Sequence, residues 1–539
     1  MRRVLSISAA AALLAMPAIS WGHDPIGPDD PGHGADGTSA FAHMELLSSF
    51  PSGEPGARPT NSDIAFWGKY AYVGNYNGFR IFDISTAQGQ LVSDVRCVGA
   101  QGDPSVVDTD ADGAADLLVL SVDRTMSGPN CGAVPVAHDD PAGWEGLRLF
   151  DVSDPALPRQ IGAVYQDCGS HTNTLLPQES GDRVLVLNSS YPLRPGPTCG
   201  PERGPAAGRD PLHGVVQVVE IPFDDPASAR EITELPVTYP GDPDNKFTPS
   251  EQGLSAPGLV DGMRACHDIA VHTERGLVAG ACAEQAQVWR IGANGLPDTE
   301  NPVWTYDQDN VDFWHSATFS WDGKVTNFID ESFGEGCPTT TVKTAGKGEP
   351  REYESGNMFF LDTRSGGLLS EFRINRSTEG GDPPPYCSSH LGNVVPSKDR
   401  YLLVNAYYRG GSSVIDFTEP TAPREIAFSD LVNMDTWSAY WYESKGSKRE
   451  WISTYGNDGV HTPNSGYGFE VFRAWVGPTE RVGLPYLNPQ VQERYVPMRP
   501  GRGKASRFRA RARSPYARGS AVGSGERSSN RAFIRREWR

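Results

Sequence analysis

Apolar and polar positions alternate in short runs through most of this chain, and Gly, Asp, Asn and Pro break the runs. Period-2 alternation bounded by turn residues is the signature of strands joined by tight turns. The pattern repeats in "IAFWGKYAYVGNYNGFRIFDIS" (64–85), "LLVLSVD…GLRLFDVSDP" (117–155), "RVLVLNSS…GVVQVVEIPFDDP" (183–226), "GLVAGACAEQAQVWRI" (276–291), "NMFFLDTRSG" (357–366) and "YLLVNAYYRGGSSVIDFTEP" (401–420). Counting unit starts at "SDIAFWG", "DPSVVD", "HTNTLLP", "HDIAVHT", "HSATFSW", "HLGNVVP" and "TWSAYWY" gives seven units. Units of about 40–75 residues with up to four strands are propeller blades. The pattern therefore predicts an all-β, seven-bladed β-propeller over residues 41–476. Its last unit shows only three strands before "VFRAWVGP" (471–478), so "AHMELLSSF" (42–50) is expected to supply the fourth and close the ring from the N-terminus.

The units ending "FRIFDIS", "LRLFDVSDP" and "SVIDFTEP" resemble the LVIVD-repeat propellers of bacterial exported proteins, over about residues 41–476. The resemblance implies the fold. It implies no activity, because that family has no single assigned one and a fold does not fix a function.

The two ends read differently from the body. Residues 1–22, "MRRVLSISAAAALLAMPAISWG", have the arginine pair, apolar stretch and small-residue end of a secretory signal peptide. Residues 23–40 read as a flexible leader, 477–498 as a C-terminal extension and 499–539 as a disordered basic tail. No later run is long and apolar enough to span a membrane, so a secreted or periplasmic monomer is expected. The net charge of −19 includes a tail with 13 Lys and Arg against two glutamates, so the body is more acidic than the total. That charge argues against nucleic acid as a partner.

An even count of eight cysteines in an exported chain fits disulfides. Spacing alone leaves the pairing open. Their placement on loops over one face favours Cys97–Cys131, Cys168–Cys199, Cys266–Cys282 and Cys337–Cys387 over thiolate metal ligands.

"CGSHTNTLL", "CHDIAVH", "WHSATFSW" and "CSSHLGNVV" place His171, His267, His315 and His390 at the entrances to the first strands of four consecutive units. First strands line a propeller channel, so these imidazoles could converge at its mouth on a transition metal such as copper or zinc. The alternative is that each is a turn histidine, hydrogen-bonded between neighbouring strands. The same face carries the insertions 124–146, 190–213, 331–356 and 376–387, with His138, His213 and His461. It is the expected docking face for a protein or small-molecule ligand.

On the opposite face "DTDADGAAD" (108–116) alternates carboxylates around a glycine. It is similar to the DxDxDGxxD hairpin loop of integrin-type propellers, which implies calcium on Asp108, Asp110, Asp112 and Asp116. The sequence thus leads to an exported binding or interaction module with a calcium-stiffened hairpin and a His-lined metal site. The alternative is a metal-dependent, copper-like oxidoreductase that uses the histidine ring. The selenium-binding and methanethiol oxidase propellers give that alternative a loose resemblance, limited to scattered histidines.

Overall fold

The computed structural model describes residues 39–51, 61–138, 140–190, 213–240, 264–332, 340–343, 351–354, 356–374, 387–431, 434–446, 452–458 and 468–499. The signal-like segment, most of the leader, the basic tail, His461 and the greater part of the insertions 190–213, 331–356 and 376–387 lie outside them.

The described strands form antiparallel meanders. Their first strands are Asn61–Trp67, Pro104–Val107, Thr172–Pro177, Asp268–His272, Trp314–Phe319, Ser388–Val394 and Thr436–Trp441. Residues of these strands are almost all buried. The fourth strands Gln90–Arg96, Arg159–Tyr165, Arg230–Pro236 and Leu368–Phe372 are mostly half-buried or exposed. Exposure rising from first strand to fourth across these sheets is the arrangement of blades around an axis, and the molecule is an all-β propeller. Its helical content among the described residues is two short 3-10 turns, Pro226–Ser228 and Thr273–Arg275.

The repeated phrase has a physical basis in its first and last residues. Third strands carry Gly78, Gly146 and Gly411 at or near their starts with positive φ, and a Cβ there would lie 2.0, 2.2 and 1.9 Å from the carbonyl oxygens of Val95, Val164 and Ser429. Only glycine lets the third strand approach the fourth so closely. Each of these three strands ends in an aspartate whose Oδ1 accepts a backbone N–H two residues on: Asp83 from Ser85 (2.9 Å), Asp151 from Ser153 (3.1 Å) and Asp416 from Thr418 (3.0 Å). These Asx turns reverse the chain toward the fourth strand. Between them lie the alternating apolar positions that pack one blade on the next, such as Phe79 against Phe150.

Two terminal segments finish the sheets. Met44–Pro51 pairs antiparallel with Gly468–Ala474, and Ala40–Ala42 pairs with Arg424–Asp430. The second pairing explains why Arg424–Asp430, unlike other fourth strands, is buried, since a covered edge no longer offers unpaired backbone groups to solvent. At the other end of the chain, residues 480–499 run along the ends of the first strands away from the histidines. Tyr486–Leu487 pairs with Phe66–Trp67, and Tyr486 stacks on Trp67 at 4.1 Å. Asn488 brackets Val106, accepting its N–H (2.8 Å) and donating to its carbonyl (2.9 Å). Val491–Gln492 pairs with Val271–His272, Gln492 donates to Thr318, and the Val496 N–H reaches Trp321 O.

Disulfides join Cys97 to Cys131 and Cys266 to Cys282, as the loop placement leads one to expect. Cys168 and Cys387 are disulfide-bonded as well, while Cys199 and Cys337 lie outside the described residues. Among the described residues no helix is long and apolar enough to cross a membrane.

Candidate functional site

Hydroxyl-bearing residues on the first strands donate to carbonyls of neighbouring first strands. Ser105 donates to Asn173 O (3.2 Å), Thr172 to His267 O (2.7 Å), Thr174 to Ile269 O (2.7 Å), Ser316 to His390 O (3.0 Å) and Ser438 to Ser62 O (2.8 Å). Thr172 and Ser316 directly follow His171 and His315, so these bonds hold the histidines of neighbouring blades at one level.

All four rings consequently stand in one row. Ring centroids are 4.5 Å apart for His171 and His267, 3.7 Å for His267 and His315, and 4.1 Å for His315 and His390. All four residues are buried. Burial pulls the His171 pKa down to about 3. Burial first, and the neighbouring imidazoles second, hold His267 and His315 well below the usual histidine range. These three rings are neutral near pH 7 and keep lone pairs for a metal or a donor.

The four are not equivalent. His171 donates through Nδ1 to Asp123 Oδ2 (2.6 Å) and accepts at Nε2 from the Gln101 amide (2.7 Å). His390 Nδ1 donates to Trp437 O (2.5 Å), so Nε2 carries the lone pair and accepts from the Tyr408 hydroxyl (2.8 Å). The Nδ1 of His315 has no hydrogen-bond partner although the residue is 1% exposed.

Glu331 faces two of these rings, with Oε2 3.7 Å from His315 Nε2 and Oε1 3.8 Å from His390 Nε2. One ligand atom from each of His315, Glu331 and His390 lies within 4.8 Å of the other two. Bonds of ~2.1 Å in a tetrahedral site put ligand atoms roughly 3.4 Å apart, so shifts of a few tenths of an ångström would seat an ion between Glu331 and either ring. The residues present therefore fit a first-row transition metal. The structure brings all four sequence-predicted histidines together, and it groups two of them with a carboxylate. Glu331, Asp123, Gln101 and Tyr408 carry no spacing signal of their own. Both acids do follow the apolar run of a second strand, in "LLVLSVD" and "VTNFIDE", where that strand emerges on the histidine face.

His213 is buried elsewhere, with Nδ1 2.9 Å from Ser190 Oγ and Nε2 3.8 Å from Asp167. His138 is exposed and outside the row.

In the acidic hairpin, carboxylate oxygens of Asp108, Asp110 and Asp112 come within 4.8 Å of one another. Asp108 accepts the N–H groups of Asp110, Ala111 and Gly113, Asp110 accepts that of Asp112, and Asp112 that of Ala114. Asp116 turns aside, accepting from Thr109 N (2.8 Å), Thr109 Oγ1 (3.1 Å) and Ser153 Oγ (3.3 Å).

Comparison with known proteins bears on the fold. The chain is a β-propeller, and within that class the LVIVD-repeat model matches residues 60–87, which hold the strands Asn61–Trp67, Tyr70–Asn75 and Gly78–Asp83 and the Asx turn after them. The chain thus carries an LVIVD repeat in its first blade. Similar solved structures include the Cps50 (Swd1) β-propeller domain of Myceliophteria thermophila, at 9% identity over 80% of this chain and 99% of that one (TM-score 0.43). Another is Sqt1 of Saccharomyces cerevisiae, at 8% identity over 82% and 100% (TM-score 0.41). A third is hydrazine synthase of Kuenenia stuttgartiensis, at 10% identity over 79% and 98% (TM-score 0.45). Likenesses this distant carry no argument about function. No curated protein matches the chain.

Proposed function

We propose that this chain is an exported, seven-bladed binding module that holds a transition metal ion at the mouth of its channel and takes a small ligand there. The single observation that carries the reading is the His315–Glu331–His390 group at the end of a row of four buried imidazoles. His315 and His390 with Glu331 would bind the ion directly, and His171 and His267 would flank it, with Asp123 and Gln101 fixing the His171 tautomer. When bound, such an ion supplies Lewis acidity to a ligand that reaches it.

The seven-bladed ring is supported by the order of first strands. Each of the strands Asn61–Trp67, Pro104–Val107, Thr172–Pro177, Asp268–His272, Trp314–Phe319, Ser388–Val394 and Thr436–Trp441 lies beside the next, and the last lies beside the first. The pairing of Met44–Pro51 with Gly468–Ala474 supports closure from the N-terminal side. Disulfides support export.

Elemental analysis of full-length protein loaded with zinc or copper and then desalted tests the metal. About one equivalent is expected in wild type, with at least a tenfold loss of affinity in His315→Ala and in His390→Ala, both still folded by circular dichroism. Absence of stoichiometric metal from wild type, or full occupancy in both variants, would remove the site.

We further propose calcium on Asp108, Asp110 and Asp112, with Asp116 orienting the loop through Thr109. Asp110→Ala combined with Asp112→Ala should abolish a calcium-dependent rise in Tm, because an ion bound only by the native state stabilises it by mass action. Equal melting of chelated and calcium-loaded wild type would count against it.

A further inference from the structure

Arg148 belongs to the repeated third-strand phrase, yet it is wholly buried. Its Nε donates to Pro129 O (2.8 Å), and its Nη1 to Val98 O (2.7 Å), to Cys97 O (3.2 Å) and to Cys97 Sγ (3.2 Å). Nη2 has no hydrogen-bond partner. The guanidinium also lies over the Trp144 ring at 5.3 Å. Burial lowers its pKa to about 10, which leaves it charged at neutral pH. Among the described residues no carboxylate pairs with it, and its acceptors are neutral dipoles. A buried cation without a counter-ion is costly, and an anion formed beside it would relieve that cost.

The nearest atom able to become an anion is Cys97 Sγ, which is bonded to Cys131. We propose that Cys97–Cys131 is a redox-sensitive disulfide that a dithiol reductant opens in preference to Cys266–Cys282, with Arg148 receiving the Cys97 thiolate. Exposure sets the direction of attack. Cys131 is half-buried on the insertion following Leu117–Met126, whereas Cys97 is 1% exposed. One thiolate of the reductant attacks Cys131 Sγ, the Cys97–Cys131 bond breaks, and its electron pair leaves on Cys97 Sγ beside the guanidinium. The second thiol of the reductant, deprotonated, then attacks the reductant sulfur of the mixed disulfide and expels the Cys131 thiolate, which takes up a proton. Two electrons have passed, the reductant is a cyclic disulfide, and the protein holds a thiolate and a thiol.

A leaving thiolate stabilised by a neighbouring cation departs faster and raises the reduction potential. Cys266 and Cys282 are both buried, and none of their described contacts is with an Arg or Lys side chain. The bond that opens secures the insertion carrying Pro129 and Cys131, whose backbone also leans on Gln160 through Cys131 N–H (2.9 Å) and Pro129 O (2.9 Å). Reduction would leave that insertion without its covalent tie to Cys97. The inference does not depend on a metal at the histidines.

The test equilibrates native full-length protein in graded oxidised and reduced dithiothreitol, quenches with an isotopically tagged alkylating agent and maps the cysteine peptides. Cys97 and Cys131 should open at a reductant ratio at least tenfold lower than Cys266 and Cys282, a difference of about 30 mV. Arg148→Met should close that gap and Arg148→Lys should keep it. Should Arg148→Met fail to fold, Cys131→Ser supplies the second measurement. Its free Cys97 should be alkylated with a pH midpoint clearly below the ordinary thiol value of about 8.5. Opening of Cys97–Cys131 together with or after Cys266–Cys282, or a Cys97 midpoint at or above the ordinary value, would overturn the proposal.

Discussion

A chain ending at Gly477 is expected to lose most of its stability, whereas one ending at Arg499 should melt with the full-length protein. The removed segment places Leu484, Leu487, Val491 and Val496 in the interior, each at most 5% exposed. At ~1.5–3 kcal/mol for each buried aliphatic side chain, four of them contribute roughly 6–12 kcal/mol as an upper bound. That is comparable with the ~5–15 kcal/mol that separates folded from unfolded domains. The loss also strips partners from groups that stay buried. Asp63 Oδ2 would lose the Gln490 amide (2.6 Å), and Val106 would lose both bonds to Asn488. Buried polar groups left unsatisfied cost about 1–3 kcal/mol each. Thermal melts and soluble yield of the two truncations check this. Equal Tm for the Gly477 and Arg499 chains would mean that the segment only decorates the ring.

That segment also shows where sequence reading stops. "LPYLNPQVQERYVPM" has neither a helical nor a strand period, because successive residues serve different blades: Leu487 pairs with Phe66, Asn488 with Val106, Val491 with Val271. A period appears only where successive residues face one environment. The blades satisfy that condition, so their alternation, their glycine and aspartate punctuation and the alignment of the four histidines could be read directly. The hydroxyls that fix the histidine row were visible as the residue after His171 and His315, but their acceptors lie on neighbouring blades. Glu331 is legible only once the fold has brought the end of one blade's second strand beside the next blade's histidine. The acidic hairpin is local in sequence, so its grouping of Asp108, Asp110 and Asp112 could be read. The turn of Asp116 toward Ser153 could not, since Ser153 belongs to another turn.

The channel side of the first strands holds a second buried polar group that no motif announces, and its removal should have a pH-dependent effect. Asp63 and Asp103 are 2% and 3% exposed, and burial raises both carboxyls above their usual range, so the folded protein is expected to hold a proton on this pair. Asp63 also accepts from the Gln490 amide (2.6 Å), Asp103 accepts from Asn173 N (2.6 Å) and Nδ2 (3.2 Å), and the charge of Asp268 bears on Asp103. Burial, reinforced by the Asp63 charge, lifts the Asp103 pKa well above the carboxylate range. A carboxyl with a raised folded pKa stabilises the native state fully below its unfolded value of about 3.9, and that contribution is lost as pH rises through the folded value. Asp103→Asn keeps an oxygen for Asn173 and an N–H for Asp63 but has no proton to lose. The variant should therefore match or fall slightly below wild type near pH 4 and exceed it increasingly toward pH 8, by roughly 1.4 kcal/mol for each unit by which the folded pKa is raised. The depressed histidines His171, His267 and His315 work in the opposite sense, losing stability as pH falls below about 6.5. They are present in both proteins and cancel in the difference. Urea unfolding of the pair from pH 4 to pH 8 measures that difference directly. A gap that stays flat with pH would show that Asp103 is already ionised in the folded protein, and that the carboxyl pair shares no proton.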